Sequence, residues 1–116
     1  MPVTVTKDLM AASTTPLVLT ILAQGDAYGY ALIKQIRALS DERLAWSEGM
    51  LYPVLRRLET QGMIASYWRA SSQGRRRRYY RIEQPGRREL TRLRDQWRLV
   101  GSLLGRLWKE DPLCST

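Results

Sequence analysis

The sequence predicts a mainly α fold with a small β-hairpin, an α+β class, closed by one long C-terminal helix. Three observations predict it. Apolar residues recur at helical spacing in three segments ahead of Gly62 and in one segment after Pro85. From Met63 the period drops to two and tyrosines appear. In the last segment Leu90, Leu93, Trp97, Val100, Leu104 and Leu107 follow spacings of 3, 4, 3, 4 and 3, a coiled-coil seam.

The first helix is expected from about Thr6 to Gln24, carrying Leu9, Leu17 and Ile21 and stopping at Gly25. Pro16 either kinks it or opens a second helix capped by Thr15; both readings stand. Asp26 is expected to cap the next helix, about Ala27 to Leu39, whose apolar face is Leu32, Ile33, Ile36 and Leu39, with Lys34 and Arg37 pointing elsewhere. The stretch SDER is a loop, and Leu44 and Trp46 alternate about Ala45 as in a very short strand. Ser47 is a good N-cap for a third helix, about Glu48 to Gln61, ending at Gly62. Trp46 before the cap and Leu51 at the fourth helical position have the spacing of a hydrophobic staple. Pro53 breaks a local rule: inside a helix it removes one hydrogen bond and crowds the carbonyl of Gly49.

Ile64, Ser66 and Trp68 alternate with Ala65, Tyr67 and Arg69, which reads as a strand. Ala70 to Arg75 is a turn and Arg77 to Glu83 the returning strand. Pro85 and Gly86 open the last helix, about Gly86 to Glu110. Its seam is narrow and wants one partner helix. Gly101 and Gly105, four apart, either admit a second backbone or only weaken the helix. Residues 6–84 then form one unit, 85–110 a dimerisation helix and 111–116 a tail.

A chain of 116 residues holds one domain. It has no histidine and a single cysteine, Cys114, which excludes Ser-His-Asp and Cys-His catalysis and the usual zinc sites. An enzyme is not expected, nor a metal or another cofactor. One cysteine forms no internal disulfide, which suits a reducing cytosol and a cytoplasmic location. The opening MPVTVTKDLM lacks a basic-then-apolar signal pattern, and the run Pro16 to Ala23 is too short to span a bilayer. The net charge is +8, and from Arg69 to Arg98 eleven arginines face three acids, so the whole excess falls in that window. Localised positive charge favours a polyanion partner.

The order helix, helix, helix, basic hairpin describes a winged helix-turn-helix, whose second helix of the pair enters the DNA major groove while the wing touches the adjacent backbone. At about 100° per residue, Leu51, Val54, Leu55 and Leu58 of the third helix share the core side. The opposite side carries Gly49, Pro53, Arg56 and Thr60, flanked by Tyr52 and Arg57. Arg56 reaches a guanine edge or a phosphate, Tyr52 a phosphate or a thymine methyl. With Ser47 and Lys34 these are the candidate reading residues. In the wing, Arg75 and Arg76 are expected beside the sugar-phosphate backbone, whereas Arg77 and Arg78 alternate faces, so only one of them shares a face with Arg76. Tyr79 and Tyr80 brace the sheet.

The segments EGMLYPVLRRLETQGMI (48–64), YGYALIKQI (28–36) and GRRRRYYRIEQPGRREL (74–90) resemble the PadR family of bacterial transcriptional regulators, over about residues 9–108. The short C-terminal region resembles its smaller subfamily, which includes multidrug-sensing repressors. The resemblance implies a homodimer built by the last and first helices, through Leu9 and the seam residues Leu90, Leu93, Trp97, Val100, Leu104 and Leu107. It implies binding of a palindromic duplex operator, usually to repress, and makes Pro53 a family feature. It also makes Trp97 a platform for a flat aromatic or cationic effector; as packing, the same residue is a dimer-core anchor. Asp95, a counter-charge for a cationic compound, faces away from the seam by about 160° on the projection. Two other readings share the charge: an RNA-binding module, and a protein-interaction module without operator recognition.

Overall fold

The computed structural model describes residues 3–109. The chain runs through α1 (Lys7–Gln24), β1 (Ala27–Tyr28), α2 (Gly29–Leu39), α3 (Glu48–Thr60), β2 (Ile64–Ala70), β3 (Arg76–Ile82) and α4 (Gln84–Leu107). α4 ends at Leu107 with Trp108 in the cap position, short of the expected end at Glu110; Glu110 itself and the tail at 111–116, with Cys114, lie outside the described residues.

Thr6 caps α1, its hydroxyl accepting the Leu9 N–H at 3.3 Å. The helix passes through Pro16 as one element, so the two-helix reading of this segment falls away. Its Val18, Leu19 and Leu22 are buried against Leu32, Ile33 and Ile36 of α2 and Leu51, Leu55 and Leu58 of α3, a single apolar core. Leu39, expected on that face, is 71% exposed at the end of α2.

Two local expectations are corrected. Asp26 does not cap α2: its carboxylate accepts the Tyr67 hydroxyl at 2.6 Å, and α2 starts at Gly29 with Tyr28 in the cap position. Residues 27 and 28 are instead a strand, pairing with β3 through Ala27↔Tyr80 and Tyr28↔Tyr79. The hairpin is thus part of a three-stranded antiparallel sheet in the order β1-β3-β2. Backbone pairing plus the edge-on contact of Tyr28 with Tyr79, 5.4 Å between centroids, takes these residues out of the helix. Leu44 to Trp46, expected as a short strand, has no sheet partner. Trp46 is 1% exposed in the core and Leu44 packs on it from outside.

The other elements follow the sequence. Ser47 caps α3, accepting the Met50 N–H at 3.2 Å, and Leu51 one turn on is fully buried in the same core as Trp46. The indole N–H of Trp46 lacks a hydrogen-bond partner among the described residues, so packing alone holds it. Gly62 ends the α3 turn at φ 75°, a left-handed conformation that costs glycine little. The return into α4 is tight: the Glu83 N–H donates to the Met63 carbonyl at 2.9 Å, and a Cβ on Gly86 would stand 2.2 Å from that carbonyl oxygen.

Because Trp46 is held by packing, Trp46→Ala is expected to cost about 3–5 kcal/mol of unfolding free energy in urea denaturation. Leu39→Ala, on the exposed end of α2, is expected to change it by less than about 0.5 kcal/mol.

Candidate nucleic-acid interface

Helix α3 is two-sided. Leu51, Leu55 and Leu58 are at most 1% exposed. Gly49, Tyr52, Pro53, Arg56, Arg57 and Thr60 are all exposed. Tyr52, Pro53, Arg56, Arg57, Thr60 and Gln61 line a shallow hollow of about 580 Å³ along the outer surface. Ser47 stands at the helix start with its hydroxyl used in the cap.

The outward residues are not equally free. Tyr52 lies over Gly29 at the start of α2, where an added Cβ would come within 2.5 Å of its hydroxyl oxygen. Its phenol, a hydrogen-bond donor at neutral pH like any tyrosine, is pushed further up, by burial first and by the Glu48 carboxylate second. Arg57 donates to the Thr15 hydroxyl at 2.6 Å and is tethered to α1. Arg56 makes no hydrogen bond or ion pair among the described residues. Lys34 is exposed on α2 with its ammonium 5.6 Å from the Tyr30 ring centre.

In the wing, the cross-strand pairs Ser66↔Tyr80, Trp68↔Arg78 and Ala70↔Arg76 place those residues on the core-facing side of the sheet. Arg77, Tyr79 and Arg81 take the opposite side. Arg78 is therefore the one that shares a face with Arg76. Arg75 lies in the turn, where its N–H and that of Gln73 donate to the Ser71 hydroxyl, and Gly74 supplies φ 83°. The tyrosines brace as expected. Tyr80 is 5% exposed, and Tyr79 stacks on Tyr67 with centroids 5.8 Å apart. On this outer side Arg77 lies over Tyr28, Arg69 over Tyr79 and Arg81 over Tyr67, at 4.5, 5.3 and 5.8 Å.

Sequence reasoning missed the group that joins helix to wing. The Glu59 carboxylate, in the last turn of α3, accepts the Ser66 hydroxyl at 2.5 Å through Oε2 and the Arg78 guanidinium at 3.1 Å through Oε1. Its partners lie seven and nineteen residues away on two strands, so no helical spacing signals it.

The seam of α4 divides. Leu90 is 6% exposed within the protomer's own core, and Leu93 packs against that core. Trp97, Val100, Leu104 and Leu107 are 41%, 52%, 36% and 78% exposed, beside an exposed Leu9 on α1. Trp97 borders an apolar hollow of about 350 Å³ with Val5, Leu9, Pro16, Leu17 and Leu44. Among the described residues no three acidic, cysteine or histidine side chains gather as a metal site, and no helix is long and apolar enough to cross a membrane.

Residues 18–92 match the transcriptional regulator PadR-like family. The chain belongs to the PadR family. A transcriptional regulator from Clostridium thermocellum is 31% identical, with a TM-score of 0.80 over 88% of this chain and 96% of that one. A PadR family regulator from Eggerthella lenta is 36% identical, with a TM-score of 0.72 over 90% and 88%. A PadR-like regulator from Bacillus cereus is 27% identical, with a TM-score of 0.80 over 90% and 100%. This PadR protein is a transcriptional regulator and not an enzyme, with the winged helix-turn-helix fold and the short one-helix C-terminal region. Family membership implies DNA as its partner.

Glu59→Gln keeps an acceptor for Ser66 but releases the charge of Arg78. On mixed-sequence duplex it is expected to tighten binding and steepen the plot of log affinity against log salt by about one. An unchanged slope in a fluorescence-anisotropy titration would show that no phosphate reaches Arg78.

Proposed function

We propose that this PadR regulator is a dimeric, sequence-specific repressor that reads a palindromic operator. The observation that carries the reading is the continuity of one basic surface. The outward side of α3 meets the core-facing side of the wing at Glu59, so a duplex lying on the one reaches the other. Arg56, with no hydrogen bond or ion pair among the described residues, reads a base edge. Gly49 and Pro53 keep the helix relief low for close approach. Tyr52 donates to a phosphate, and Ser47, Thr60, Arg57 and Lys34 border the contact. Arg75, Arg76 and Arg78 supply backbone affinity; Arg77, on the outer side, contributes charge rather than direct contact.

The homodimer reading is supported by the apolar stripe from Trp97 to Leu107, which no helix of the same protomer covers among the described residues, and by Leu9 alongside it. Leu93 extends the stripe inward, whereas Leu90 is already buried without a second chain. Two copies related by a two-fold axis present two reading helices about one DNA turn, roughly 34 Å, apart. The hollow beside Trp97 supports release by a flat aromatic or cationic effector, because it is apolar and lies where dimer contacts would transmit its occupancy. Repression itself rests on the resemblance to multidrug-sensing regulators.

Selection of bound fragments from genomic DNA tests the whole reading. The expected product is a dyad with half-sites about one turn apart that outcompetes structured RNA in a gel shift. Equal competition by RNA would favour the RNA-binding alternative. Arg75→Ala with Arg76→Ala is expected to weaken binding to every duplex and make the salt slope shallower by about two. Leu104→Asp is expected to give a monomer by sedimentation and abolish dyad binding, since a charge at a buried seam position is unpaired. A monomer holding a half-site at full affinity would refute the seam.

A further inference from the structure

Trp68 is 58% exposed, an unusual position for the largest side chain in a strand. Its neighbours along β2 show where it points. Ile64 on the same side enters the core, Ser66 bonds Glu59 of α3, and Trp68 comes next outward. Its direct cross-strand partner is Arg78, and the Arg76 guanidinium lies 5.2 Å from its ring centre. The indole thus lies on the wing side continuous with α3, more than half exposed, between Arg76 and Arg78. On the other side of the sheet Tyr79 stacks on Tyr67 and meets Tyr28 edge-on, and these three explain themselves as bracing. Trp68 has no such aromatic partner among the described residues.

We propose that Trp68 is a further DNA-contacting residue, its exposed indole face packing against deoxyribose rings of the strand whose phosphates Arg76 and Arg78 hold. The chemistry fits one occupant. A nucleic-acid backbone alternates anionic phosphates with apolar sugar faces, and the wing side alternates guanidinium and indole in the same way. The cation–π contact fixes the ring plane before binding, which limits the side-chain entropy lost on contact. The apolar part of the contact is independent of salt, unlike the arginine part.

The inference rests on duplex binding by this regulator, so the wild-type chain and a mixed-sequence 30-bp duplex are the reference for the test, at about 30 base pairs to span both half-sites. Trp68→Ala is expected to weaken binding about tenfold without changing the salt slope, and Trp68→Phe to recover part of the loss. With 5-fluorotryptophan incorporated, the resonance assigned to Trp68 by the Trp68→Phe variant is expected to shift on duplex addition. Undiminished affinity of Trp68→Ala, or an unmoved resonance, overturns the proposal while leaving DNA binding intact. A fall in slope equal to that of Arg76→Ala also overturns it, because Trp68 would then act only by holding Arg76. A wild-type chain that binds no duplex overturns both this inference and the function it rests on.

Discussion

The commitment of the Leu51–Leu55–Leu58 edge of α3 to the core is the constraint from which the surface follows. These three leucines are between 0% and 1% exposed, packed with Leu19 of α1, Leu32 of α2 and Trp46. A helix with one edge fixed has no freedom in what its other edge shows. Gly49, Tyr52, Pro53, Arg56 and Thr60 face outward because the leucines face in. The next step is Glu59, beside the buried edge, which turns that orientation into a wing position. Part of its charge balance is exposed, so the ion pair with Arg78 adds little stability of its own. Its role is register: with Ser66 it sets the distance between reading helix and wing.

The same logic makes the four arginines unequal. Backbone alternation sends Arg76 and Arg78 to the α3 side and Arg77 to the other, where the tyrosines pack. Arg77, over Tyr28, binds β1 to the wing; Arg78, on Glu59, binds the wing to α3. A run that looks uniform in the sequence therefore contains a tip residue, two residues on the α3 side and one brace.

Much of this is legible in the sequence alone. Ser47 and Gly62 bracket α3 with a cap and a stop, and its leucines have one period, so the helix and its two sides could be read directly. The tyrosine-rich hairpin and the α4 seam were equally plain. What escaped was short or distant. A two-residue strand such as Ala27–Tyr28 has no periodicity, and Asp26 is a cap by residue type until Tyr67, 41 residues on, takes its carboxylate. Leu44 and Trp46 alternate correctly, but alternation does not supply a strand partner. Leu90 belongs to the seam by spacing and to the protomer core by position, since the Gly86–Met63 contact draws the start of α4 onto the sheet. Trp68 alternates with Ile64 and Ser66 in the sequence, but that it stands 58% exposed beside Arg76 is visible only in the fold.

On the proposed reading, helix and wing act as one surface when the Ser66–Glu59 bond, which Glu59→Gln retains, keeps α3 and β2 together on DNA. Amide chemical-shift mapping of the full chain against duplex tests this most directly. The expected result is simultaneous perturbation of Gly49, Tyr52, Arg56 and Thr60 together with residues 68 to 78, with the exposed side of α2 beyond Lys34 unmoved. Perturbation of the wing alone, or of α2 in place of α3, would contradict it.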